Sequence, residues 1–121
     1  MKYMLLIYDN PDTREKMFSG EAGEQLLADV DAVIAELTAS GELLGTEALA
    51  DPSNTRTVKV ADGVPVVTDG PFIETKEHMG GYLLVECDSI ERATEIAARW
   101  PSAPFAPLEV RPVMDAGGED M

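Results

Sequence analysis

Between Asp69 and Tyr82 the chain reads DGPFIETKEHMGGY, and most side chains suited to proton or ligand chemistry fall in this stretch. Asp69 is a candidate general base or ligand contact. It is equally suited to bonding its own downstream N–H groups in a turn. Lys76 lies between Glu74 and Glu77. On a solvated loop these three form a charge run. In a pocket, burial raises the carboxylates and lowers the lysine, which yields a matched acid and base. His78, the one histidine of the chain, titrates near neutrality when unperturbed. The catalytic candidates are therefore Asp69, Lys76 and His78.

A second set of residues could hold a ligand. Thr75 can cap a turn or bind a substrate oxygen. Gly70 tolerates unusual dihedrals, and Pro71 biases it away from the helical region. Phe72 is an apolar anchor that can pin the loop to the core. Gly80-Gly81 lets the chain re-enter a sheet, or lets another group approach the backbone closely. Tyr8 ends the first apolar run, near where a pocket between sheet and helices would open. Arg111 can grip an anion with two parallel hydrogen bonds, or serve a structural ion pair. The ligand-binding set is Tyr8, Gly70, Phe72, Glu74, Thr75, Tyr82 and Arg111. Oxygen ligands from Asp69, Glu74 and Glu77 would suit a hard cation. Their spacing matches no known metal loop, so neither metal nor cofactor is expected. Cys87 alternates onto an apolar strand face and reads as a small core residue.

These residues need elements to position them. Lys2 to Asp9 is an apolar run closed by Asp9-Asn10-Pro11-Asp12, which predicts a central strand and a turn. Leu26, Val30, Val33, Ile34 and Leu37 recur at helical spacing, and Gly41 suits the end of that helix. Residues 42–49 form a weaker strand. Thr55 to Val60 and Val64 to Thr68 flank Ala61-Asp62-Gly63, which predicts a hairpin. Gly81 to Cys87 is a further strand. Asp88 or Ser89 caps a second helix that Pro101 stops. Leu108 to Val113 is the last strand, and Pro112 puts it at an edge. With the hairpin set aside, the order is a split βαβ pattern repeated twice. That is an α+β, ferredoxin-like sheet with both helices on one face. Met4, Leu6, Leu83 and Val85 are too apolar for the other face to meet water, so a second copy is expected to cover it.

The whole chain has 121 residues, 45% of them apolar, and suits one domain over residues 1–114 with an acidic tail, 115–121. Its net charge of −14 disfavours nucleic acid and anionic membranes as partners. One cysteine excludes an intrachain disulfide framework. No run approaches the roughly 20 apolar residues of a membrane span, and no secretory leader is recognised. The cytoplasm is the expected location.

The DGPF stretch resembles the signature of the DGPF family within the YCII-related proteins. The opening MKYMLLIY and the closing LEVRPV are similar to that family as well. The resemblance implies a dimeric α/β barrel. It also implies small-molecule binding or catalysis, and a frequent association with extracytoplasmic-function sigma factors. Some YCII-related members carry a histidine–aspartate pair whose histidine lies early in the chain. This sequence has no histidine before His78, so that pair is not carried over. Two expectations follow. One is a homodimer with a small-molecule or catalytic pocket beside the DGPF loop. The other is a regulatory module that meets a sigma factor through its acidic surface.

Overall fold

The computed structural model describes residues 1–115 and residue 118. The elements are β1 Lys2–Asp9, α1 Pro11–Met17, α2 Gly20–Ser40, β2 Leu43–Ala48, β3 Arg56–Ala61, β4 Val64–Asp69, β5 His78–Glu86, α3 Ile90–Ala98 and β6 Leu108–Pro112. A short 3-10 turn, Pro52–Asn54, links β2 to β3. Most of the acidic tail lies outside the described residues. Among the described residues no helix is long and apolar enough to cross a membrane.

Local signals account for the helix ends. Asn10 is extended, and its side chain accepts a 2.9 Å bond from the Thr13 N–H. Pro11 follows at the first helical position, where its missing N–H costs nothing. These two residues start α1 in a stretch whose periodicity is ambiguous. Gly41 takes φ 80° and closes α2 through its N–H to the carbonyls of Leu37 and Thr38. Ser89, rather than Asp88, caps α3 by accepting from the Arg92 N–H.

Four strands form one antiparallel sheet in the order β2-β5-β1-β6. This is the order of two interlocked split βαβ units, and it leaves β6 with Pro112 at an edge as its sequence predicts. Tyr3, Leu5 and Ile7 of β1 and Leu83 and Val85 of β5 face the helices. They are buried with Leu37 of α2 and Ala93 and Ile96 of α3. Cys87 joins this core, as its alternation predicts. Leu83 and Val85 were expected on the uncovered face. The register pairs them with Leu5 and Tyr3, so both lie under the helices at 0% exposure. The open face carries Met4, Leu6, Tyr82 and Leu84, all half-buried.

Among the described residues, the β3–β4 ribbon pairs only with itself. Asp62 and Gly63 at its turn take φ 50° and 77°, the positive values a two-residue hairpin loop needs.

Candidate functional site

β1 alternates faces, so Asp9 shares parity with Tyr3, Leu5 and Ile7 and points to the helix side. It is 4% exposed. Its Oδ2 accepts a 3.1 Å bond from the Arg14 guanidinium, which α1 delivers five residues later. Its Oδ1 is buried and has no hydrogen-bond partner among the described residues. Burial raises the Asp9 pKa above the usual carboxylate range, and the favourable charges of Arg14 and His78 only partly oppose that rise.

Glycine makes this arrangement possible. A Cβ at position 80 would stand 2.2 Å from the Asp9 Oδ2. The β1–β5 register slips here. Ile7 pairs with Gly81 while Tyr8 pairs with Met79, leaving Gly80 as a bulge. The slip sets His78 directly opposite Asp9. The expectation that Gly80-Gly81 permits a close approach holds, and the approaching group is this carboxylate.

Two openings meet this wall. The first is a cavity of about 230 Å³ between the sheet and α2, lined by Asp9 together with apolar residues that include Ile7, Phe18, Leu27, Val30 and Ile34. Arg14 stacks over the Phe18 ring at 5.4 Å from its centroid. The second is a cleft of about 360 Å³ whose walls include Leu49, Asp51, Thr55, Pro71, His78 and Met79. Arg14 stands between them, with its Nε 3.6 Å from Asp51. The Ser53 backbone and hydroxyl, then Arg14, hold the Asp51 pKa low. Asn10 donates to the Glu77 carboxylate at 3.3 Å, which ties the end of the signature loop to the start of α1. Among the described residues no three His, Cys, Asp or Glu side chains gather as metal ligands. Arg14 supplies the cation at this point.

Of the catalytic and ligand-binding candidates drawn from the sequence, His78 is the one that joins the wall. Asp69 ends β4 opposite Arg56, and it is exposed. The Gly70 N–H is taken by the Thr55 carbonyl at 2.7 Å, and Gly70 has φ 93°. Loop closure here is a backbone bond across the ribbon's root. Phe72 is 76% exposed, so it does not anchor the loop in this chain's core. Glu74 and Lys76 are exposed. Thr75 caps no helix, and its hydroxyl donates to the Glu77 carbonyl. Tyr8, Tyr82 and Arg111 lie on the open sheet face, turned away from the cavity by strand parity. Glu109 beside Tyr8 holds its hydroxyl above the usual range.

Asp9, Arg14, Phe18 and Asp51 are not among the candidates the sequence supplies for the site. One signal was present. An acid that continues the buried alternation of a central strand is out of place unless it is used.

The fold is a helix-covered antiparallel sheet, and its site is a buried carboxylate on the wall of an apolar cavity. Residues 1–116 match the YCII-related domain, and the chain belongs to that family. It is 31% identical over 115 residues to an uncharacterised protein of Rhizobium meliloti (strain 1021), covering 93% of this chain and 92% of that one. A solved structure of 5-chloro-2-hydroxyhydroquinone dehydrochlorinase from Burkholderia phenoliruptrix AC1100, in complex with 2,5-dihydroxybenzoquinone, matches with a TM-score of 0.50. Their sequence identity is 14%, and the match covers 99% of this chain and 100% of that one.

Proposed function

We propose that this chain binds a small, ring-sized molecule in the cavity between sheet and α2, and that Asp9 exchanges a proton with it. The carrying observation is the unpartnered Oδ1 of Asp9, buried on the wall of an apolar cavity of about 230 Å³. A buried acceptor without a partner is costly unless something uses it. A cavity of roughly 150 Å³ accepts benzene, so this one has room for a substituted single ring. Arg14 fixes one carboxylate oxygen, which leaves the other to face the ligand. A raised pKa brings the carboxyl nearer to neutrality, where it serves as base or acid.

A ring hydroxyl is the matching group. Oδ1 accepts its proton, and the ring keeps the electron pair as a phenolate. The Arg14 guanidinium favours the charged carboxylate before transfer. The dehydrochlorinase of similar fold holds a hydroxylated quinone, which supports this ligand class.

We also read the working unit as a homodimer whose two open sheet faces close into a barrel. The half-buried Met4, Leu6, Tyr82 and Leu84 on that face support it.

Titration with 2,5-dihydroxybenzoquinone tests the site. The expected result is saturable binding, with amide shifts clustered around Asp9, Phe18 and Gly80. Asp9→Asn should weaken binding by about tenfold or more while the fold is kept. Shifts confined to residues 69–77, or binding indifferent to Asp9→Asn, would remove this reading.

A further inference from the structure

We propose that the β3–β4 ribbon is the clasp of a homodimer, its Val58/Val60/Pro65/Val67 face seated on a second copy of this chain. The inference rests on the homodimer reading above and adds the element that holds the copies together.

The ribbon register sets Val58 opposite Val67 and Val60 opposite Pro65, so these four side chains share one face. All are exposed, the three valines by 55–63%. Arg56 and Asp69 pair across the root of that face, and everything beyond them is hydrocarbon. An isolated two-stranded ribbon is marginal in water. Of sixteen exposed large apolar side chains in the described residues, seven lie between positions 55 and 77. The apolar surface is therefore gathered at one place, as at an interface, rather than scattered.

Charge selects the occupant. Residues 55–77 hold three of the nine cations and four of the 23 acids, so this segment carries −1 and the remainder carries −13. Two copies repel each other except where this nearly neutral arm intervenes. Arg56, on the seating face, and Lys76, on the adjoining loop, form no ion pair among the described residues. On a second copy they meet a strongly acidic body. Nucleic acid and anionic lipid would be repelled by that same body. Thr55 and Pro71, at the two roots of the ribbon, line the cleft that contains His78. A copy seated on the ribbon stands at the mouth of that cleft.

The paired changes Val58→Glu and Val60→Glu put two charges on the seating face. Sedimentation velocity over a concentration series reads the outcome. The wild-type chain is expected to dimerise, and the double variant to raise the dimer dissociation constant at least about tenfold with its circular dichroism unchanged. Val64→Glu, on the opposite ribbon face, is expected to leave assembly as it was. Hydrogen exchange on the wild-type chain decides the matter if the double variant does not fold. Ribbon amides should exchange slowly in concentrated protein and quickly on dilution. A dissociation constant untouched by the double variant, or ribbon amides indifferent to dilution, overturns the clasp and leaves the homodimer standing. A monomeric wild-type chain overturns both.

Discussion

The inner face of the sheet and the β3–β4 ribbon are both built from alternating strands rich in branched apolar residues, yet they end in opposite conditions. Leu5, Leu83 and Val85 are shut away beneath α2 and α3, while Val58, Val60 and Val66 stand 47–63% exposed. The covered face also holds a polar device, Asp9 with Arg14, whose strength comes from being dry. The ribbon and the adjoining signature loop hold more ionisable groups than that device, but water screens them. The proposed proton exchange follows enclosure, not the density of reactive residue types.

The widest gap between the two regions should appear in stability. Leu83→Ala should lower the unfolding free energy by about 2–5 kcal/mol, because it opens a cavity in the fully buried layer. Val66→Ala in the ribbon should change it by less than about 0.5 kcal/mol in dilute protein. Urea denaturation of both variants measures the gap, and equal losses would erase it.

Proton transfer comes next. Asp9→Asn should slow any turnover of a hydroxylated ring by roughly 100-fold, the usual range for a removed acid–base group. Asp69→Asn should leave it within about twofold. The stability of the same Asp9 variant carries a sign of its own. The Asp9 pKa is raised in the folded chain, so its contribution to stability is greatest at low pH and declines as pH rises through the folded value. The variant should therefore gain on the wild-type chain as pH rises from the ordinary carboxylate value of 3.8 through the raised folded one. A flat difference across that span would mean the carboxyl is not strained.

An ion pair away from the cavity gives a smaller effect. Arg92 grips both oxygens of Glu42 at 2.8 Å, and this holds the Glu42 pKa at about 2 rather than its ordinary 4.5. The lowered pKa contributes stability above pH 4.5 that disappears as pH falls towards 2. Arg92→Ala should cost about 1–3 kcal/mol at neutral pH, discounted for the partial exposure of both groups, and almost nothing near pH 2. Phe72→Ala should have the least effect on the monomer, within about 0.5 kcal/mol, since the ring is 76% exposed.

Much of the frame is readable from residue pattern alone. The α2 stripe from Leu26 to Leu37, the Gly41 stop, the Asp62-Gly63 turn and the edge position of Pro112 each follow from one local rule, and the structure shows all four. The site is less readable because it depends on pairing. Nothing near Asp9 in the sequence says that Gly80 will bulge towards it, seventy-one positions later. Tyr8 and Asp9 are neighbours, and only strand parity decides which of them enters the cavity. The uncovered face was misread for the same reason, since Leu83 and Leu84 differ only in the side to which they point. Phe72 reads as an anchor because it is large and apolar, but an anchor needs a socket, and among the described residues its ring is left 76% exposed.

The bulge at Gly80 also makes the site sensitive to strand register. Before Gly81 the strand is out of step by one residue, so side chains arriving from the signature loop are delivered to the face opposite to the one a regular ladder would give them. Straightening the ladder with Gly80 retained would pair Tyr8 with Gly80 and Asp9 with Met79, bringing Met79 round to the carboxylate and sending His78 to the open face. A methionine beside a buried carboxylate offers neither a charge nor a proton. One step of register therefore separates a polar wall from a greasy one, and the single unpaired glycine is what keeps the histidine, rather than the methionine, against the carboxylate.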